Sequence, residues 1–73
     1  NNEIIKEKIQ IFPNPSNKYL NFSQKSNFTI FDMFFREVMK GKNTDFILIE
    51  TLNKGTYFIR ISNTDQIVKF IKI

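Results

Sequence analysis

Leu52-Asn-Lys-Gly-Thr-Tyr-Phe-Ile-Arg-Ile61 carries the sharpest structural signal in the chain. Leu52 is the last apolar residue before a turn, and Asn53, Lys54 and Gly55 make that turn. Gly55 supplies a backbone that takes positive φ at little steric cost. A strand follows. Side chains alternate faces with period two, so Tyr57, Ile59 and Ile61 point one way and Phe58 and Arg60 the other. The spacing Leu-x-x-Gly-x-Tyr, carried by Leu52, Gly55 and Tyr57, also reads as a tyrosine corner. In that device a Tyr early in a strand buries its ring and returns its hydroxyl to backbone a few residues upstream. It ties sheets together and says nothing of function.

Most of the rest of the chain has strand period. Lys8 to Phe12 alternates, with Ile9 and Ile11 on one face, and stops at Pro13-Asn-Pro-Ser-Asn17. The two prolines withhold backbone donors and hold the residue before each in extended geometry. Tyr19 to Phe22 is a second short strand with Leu20 and Phe22 inward, and Ser23 to Asn27 reads as a polar loop. Phe28 to Phe31 begins the next strand. Phe31, Phe34, Phe35, Val38 and Met39 also fall on one helical face, with Gly41 placed to close it. The rival is a turn over Asp32–Phe35 followed by a strand over Arg36–Met39, and the surrounding strand period favours it. Lys40 to Asp45 reads as a polar loop, Phe46 to Glu50 as a buried strand, and Ser62 to Gln66 as the loop of a last hairpin. Ile67 to Ile73 closes the chain. Lys69 and Lys72, three apart, predict a bulge or a two-faced edge strand there. Six or seven short strands between polar loops predict an all-β sandwich.

Composition bounds the chemistry. The sequence has 73 residues, which is one small domain. At this size folding buries roughly 60% of the unfolded surface, so stability is marginal. It has no Cys and no His, which excludes a disulfide framework, a thiolate or imidazole metal site and a His-based triad. The acidic residues stand singly, without an acid/base pair or a calcium loop. Two isolated glycines build no phosphate loop. The expectation is therefore a chain with no catalytic residue, no metal and no cofactor. Asn21-Phe-Ser23 and Asn27-Phe-Thr29 match the glycosylation pattern, which is common by chance. The net charge is +4, and the basic residues are dispersed. They suit an anionic partner, or they simply solubilise an apolar strand protein. Phe34, Phe35, Phe58 and Tyr19 are candidates for a base-stacking platform, but basic and aromatic residues do not interleave, and nine Phe in a small sandwich suit a core better. No run approaches the ~20 apolar residues of a membrane span. The chain opens on Asn1, so we expect a piece of a longer protein, with residues 1–8 a linker or frayed start and 9–73 the domain.

Five motifs now stand together: Ile11-Phe-Pro-Asn-Pro-Ser16, Leu20-Asn-Phe22, Ile30-Phe-Asp-Met-Phe-Phe-Arg-Glu-Val38, Leu52 to Ile61, and Val68-Lys-Phe-Ile-Lys72. In this order and spacing the chain resembles the C-terminal sorting domain of type IX secretion cargo, the type A form of Bacteroidetes. The resemblance covers about Ile9 to Ile73. The family pattern usually has Gly where Phe35 stands, and a bulky residue there resists positive φ. It implies an immunoglobulin-like β-sandwich of about seven short antiparallel strands, with a turn rather than a helix near residues 31–39. It also implies a non-catalytic address label on a secreted or cell-surface protein. The partners implied are the upstream passenger, the type IX secretion machinery in the periplasm and a sortase that removes the label, with anionic lipopolysaccharide nearby. Nucleic acid is not among them.

Two places are expected to be read by that machinery. One is the terminal strand, through Val68, Lys69, Phe70, Ile71 and Lys72. As an edge strand it offers backbone groups for strand addition, although its lysines equally serve to guard the edge. The other is a knuckle of Pro13, Asn14 and Pro15, which equally reads as a plain strand terminator. An adhesive or carbohydrate-binding sandwich appended to an extracellular enzyme is the alternative function.

Overall fold

A computed structural model describes residues 9–62 and 64–73. The linker expected over residues 1–8 lies outside the described residues. Five strands follow in order: β1 (Ile11–Phe12), β2 (Tyr19–Phe31), β3 (Glu37–Leu48), β4 (Gly55–Ile61) and β5 (Ile67–Lys72). They form one antiparallel sheet in the order β1-β2-β4-β5, with β3 on the other edge of β2. The sheet is curled and open. The described residues are all-β, as expected from the sequence, with five strands where a seven-stranded, immunoglobulin-like sandwich was expected.

The strand count falls because two supposed loops are strand. Ser23–Asn27 lies inside β2 and Lys40–Asp45 inside β3. The two strands pair with each other through this polar region, with register shifts on either side of Ser26. A ladder is made by backbone, so polar side chains do not end it when the partner strand is present. Bulges absorb the mismatch and bend the strands.

The β2–β3 turn resolves the helix-or-turn alternative in favour of the turn. The Phe35 N–H donates to the Asp32 carbonyl and the Asp32 N–H to the Arg36 carbonyl, each at 3.0 Å. Phe35 has φ of 62°. This matches a three-residue hairpin loop whose last position is left-handed. Glycine takes that conformation freely, whereas Phe pays about 1–2 kcal/mol.

The core sits inside the curl. Leu20, Phe22, Phe28 and Ile30 of β2, Ile47 of β3 with Ile49 just beyond it, Tyr57, Ile59 and Ile61 of β4, and Phe70 of β5 are buried together with Ile9. Phe70, Leu20, Ile30, Ile49 and Ile59 are fully enclosed, each worth about 1.5–3 kcal/mol on removal from water. The phenylalanines do not serve mainly as core. Phe22, Phe28 and Phe70 are buried, but Phe12, Phe34, Phe35 and Phe46 are exposed. The run Phe46–Glu50 is buried on one face only, through Ile47 and Ile49. Gly41 lies inside β3 opposite Phe28. A Cβ there would stand 2.6 Å from the Phe28 ring, so the backbone approaches the core where no side chain fits.

Candidate recognition surface

The tyrosine-corner residues set the frame. Gly55 has φ of +151°. It brings β4 out of the turn so that Tyr57 faces inward. The Tyr57 hydroxyl donates to the Asn53 carbonyl at 2.7 Å. Its ring stacks on Phe70, with centroids 5.4 Å apart. Leu52 packs at the margin of the core, and its N–H donates to the Ile49 carbonyl. The corner therefore fixes β5 against β4 through the Tyr57–Phe70 contact.

β5 alternates without interruption, and its register with β4 is continuous from Gly55↔Lys72 to Arg60↔Ile67. Of the bulge and the two-faced strand that the lysine spacing left open, the bulge is absent. Instead Lys69 and Lys72 fall on opposite faces. Lys69 and Ile71 are exposed, Val68 is half-buried, and Phe70 and Lys72 are buried. The Lys72 ammonium donates to the Ile73 backbone oxygen at 3.4 Å. Of the five residues from Val68 to Lys72, a partner on the outer face meets Lys69 and Ile71.

The outer edge of β5 is not bare. Its odd-numbered residues turn their backbone groups away from β4, and the proline segment takes several of them. The Asn14 Nδ2 donates to the Lys69 carbonyl at 3.0 Å, and its Oδ1 accepts from the Ile71 N–H at 3.1 Å. The Ser16 N–H donates to the Ile71 carbonyl and the Ile73 N–H to the Ser16 carbonyl. Ser16 is buried, and its hydroxyl donates to the Tyr19 carbonyl. Further along, the Gln66 side-chain amide grips the backbone of Ile9 in both directions, at 2.7 and 3.0 Å. The segment from Ile9 to Ser16 thus runs parallel to β5, as the Ser16↔Lys72 bridge shows. Prolines lack an N–H, so a side-chain amide supplies the pairing that Pro13 and Pro15 withhold. Both X–Pro bonds here, Phe12–Pro13 and Asn14–Pro15, are cis.

The two expected recognition places are therefore joined. Pro13, Asn14 and Pro15 are exposed and sit against the edge of Lys69 and Ile71. What sequence reasoning missed was the long-range pairing of Ser16 and Gln66, with Ile71, Ile73 and Ile9, across 55 to 57 residues. Local pattern carries no signal for such pairings.

The turn between β2 and β3 is the other organised surface. Asp32 Oδ1 accepts from the Phe34 N–H at 2.8 Å and from the Arg36 N–H at 3.0 Å, and Oδ2 accepts from Arg36 Nε at 3.0 Å. The Arg36 N–H above all holds the Asp32 carboxyl below its ordinary value; desolvation opposes it, and the Phe34 N–H and the Arg36 guanidinium add to the lowering. Met33, Phe34 and Phe35 project at this tip. Phe35 stacks on Phe58 at 5.4 Å. Tyr19 instead stacks on Phe46 at the opposite end of β2, so the four aromatic residues proposed as a base-stacking platform are not gathered on one surface.

Among the described residues, no group of three or more acidic residues is placed to hold a metal ion, and no helix is long and apolar enough to cross a membrane. No curated protein matches this chain. The model of the secretion system C-terminal sorting domain matches residues 10–73. That span takes in the proline segment, the Asp32 turn, the Tyr57 corner and the terminal strand, and the chain belongs to this family, the C-terminal sorting domains of type IX secretion.

Proposed function

We propose that this domain directs an upstream passenger across the outer membrane and is read by the secretion machinery as a folded surface. The surface is the Pro13–Pro15 knuckle together with Lys69 and Ile71 of the terminal strand. The observation that carries this reading is the Asn14 amide, which joins knuckle and strand into one rigid patch. Val68, Phe70 and Lys72 support the patch from its inner side. After translocation a sortase-type peptidase removes the domain and joins the passenger to anionic lipopolysaccharide at the cell surface. The domain is the substrate of these steps and supplies no catalytic group.

Deleting Val68–Ile73 is expected to leave the passenger in the periplasm. Because Phe70 is core, the deletion also dismantles the fold. The sharper test is the double substitution Lys69→Glu with Ile71→Ser, which leaves the inward face intact. Normal surface delivery of that folded variant would count against the reading.

A second reading, an adhesive or carbohydrate-binding module, draws on the exposed Tyr19–Phe46 stack, beside which Phe12 and Leu48 are also exposed. Register puts all four on one face of the sheet. Binding of the isolated chain to a glycan, lost on Tyr19→Ala, would support it.

A further inference from the structure

On the outer face of β4, Phe31, Phe35, Phe58, Arg60, Asp65 and Ile67 line a groove of about 320 Å³. Register explains how they meet. Phe31 stands opposite Phe58, Phe58 opposite Lys69, and Arg60 opposite Ile67. Phe35 closes one side by stacking on Phe58.

Three features set this groove apart from ordinary surface. First, Phe35 is held at φ of 62°, a conformation that disfavours a side-chain-bearing residue. Second, Phe35 as a whole residue is 68% exposed, so burial within the chain does little to offset the strain. Strain retained on an exposed side chain points to use by something outside. Third, the charge at the rim is unbalanced. Asp32 is paired with Arg36 and Glu37 with Lys40. Arg60 and Lys69 have no acidic partner within ion-pair distance among the described residues. Asp65 is the acid lining the groove.

We propose that this groove docks an extended acidic polypeptide segment. The segment sets one aromatic or aliphatic side chain against Phe35, Phe58 and Ile67, and places a carboxylate near Arg60 or Lys69. The apolar floor demands the side chain, and the two cations demand the carboxylate. Asp65 argues against a continuous polyanion. A nucleic acid or an anionic vesicle would press negative charge on Asp65 as well, whereas a peptide sets its charges one by one. The groove shares Lys69 with the surface proposed above, but the binding measurement stands apart from that reading.

The test titrates the isotopically labelled 73-residue chain with three capped peptides followed by NMR. They are Asp-Leu-Asp-Phe-Glu-Leu-Asp, its basic counterpart Lys-Leu-Lys-Phe-Lys-Leu-Lys, and its polar counterpart Asp-Ser-Asp-Ser-Glu-Ser-Asp. The first is expected to shift the amides of Phe35, Phe58, Arg60 and Ile67, and the others are not. Arg60→Glu should weaken binding by about tenfold or more, equivalent to about 1.4 kcal/mol. Phe35→Gly should weaken it as much without lowering the thermal midpoint, because Gly relieves the backbone while removing the wall. Binding of the basic or the polar peptide as tight as the first, shifts confined elsewhere, no binding at millimolar peptide, or undiminished binding by Phe35→Gly would each overturn the proposal. So would self-association of the free chain through these residues, or binding to anionic vesicles in place of the peptide. If no peptide binds while Lys69→Glu with Ile71→Ser still arrests delivery, the groove fails and the sorting surface stands.

Discussion

Asn14 pairs with Ile71 as one strand pairs with another: its side-chain Oδ1 accepts the Ile71 N–H at 3.1 Å, while the same amide donates to Lys69. A single side chain thus occupies the place of a peptide group on the outer edge of β5. An open edge is a template for unwanted pairing. Here the edge is covered by a segment that two prolines make unable to form a full ladder.

Asn14→Ala should therefore lower stability by about 1 kcal/mol, since each exposed hydrogen bond is worth about 0.5–1.5 kcal/mol net and water partly replaces it. For a domain of this size that is a fall of roughly 4–8 °C in thermal midpoint. Amide exchange at Ile71 should quicken more than at Phe70, which pairs with Tyr57 on the other side. An unchanged midpoint together with an unchanged Ile71 rate would show that the amide does not hold the edge.

Tyr57→Phe keeps the ring against Phe70 and removes only the hydroxyl that reaches Asn53. The expected loss is about 1 kcal/mol, the net worth of one hydrogen bond. Denaturant melts should show a lower midpoint with the same slope, because the surface exposed on unfolding is unaltered. A changed slope would mean that the corner shapes the native or denatured ensemble more widely.

Gly41→Ala drives a methyl group to 2.6 Å from the Phe28 ring. Phe28 is buried and meets Phe22 edge-on at 5.6 Å, so it has little room to retreat. Overpacking of this kind costs about 1–3 kcal/mol. Phe28→Leu alone should destabilise by opening a cavity, yet in combination with Gly41→Ala the losses should fall short of their sum. Strict additivity would rule out the contact as the cause.

The Asp32 turn should loosen in acid. Its carboxyl is held below its ordinary value of 3.8, first by the Arg36 N–H. A depressed carboxylate stabilises the fold fully above its unfolded value. That contribution disappears as pH falls below 3.8 and passes through the lower folded value. Amide exchange at Phe34 and Arg36, corrected for its intrinsic pH dependence, should rise through that window, and Asp32→Ala should remove the transition. A transition at those amides that persists in Asp32→Ala would assign it to another group.

Much of the scaffold was legible because its signals are local. Gly55 and Tyr57 sit two residues apart, and their alternation with Ile59 and Ile61 named the inward face of β4. The Asp32–Phe35 turn was also readable, although by the surrounding strand period rather than by its own residues, since Phe35 occupies a position that favours glycine. The strand count was not legible. Ser23–Asn27 and Lys40–Asp45 look like loops because polarity reports exposure, and a strand exposed on both faces is as polar as a loop. Nor was the covered edge. Asn14 looks like turn chemistry beside two prolines, and nothing near it in the chain announces Lys69 or Ile71. Lys72 was legible only as an alternative: a lysine three residues from Lys69 fits either a bulge or a two-faced strand, and here the period holds and the side chain turns inward.

The parallel course of Ile9–Ser16 and β5 also decides how the domain bears load. Ile9 lies at the head of one segment, and Ile73 at the tail of the other. Tension applied between these two points pulls the segments past each other. It must strain the Gln66, Asn14 and Ser16 hydrogen bonds together, as shear, and cannot peel them off one at a time. The pairing of β1 with β2 holds the same segment from its other side, so a pull along the chain meets the stiff direction of this domain.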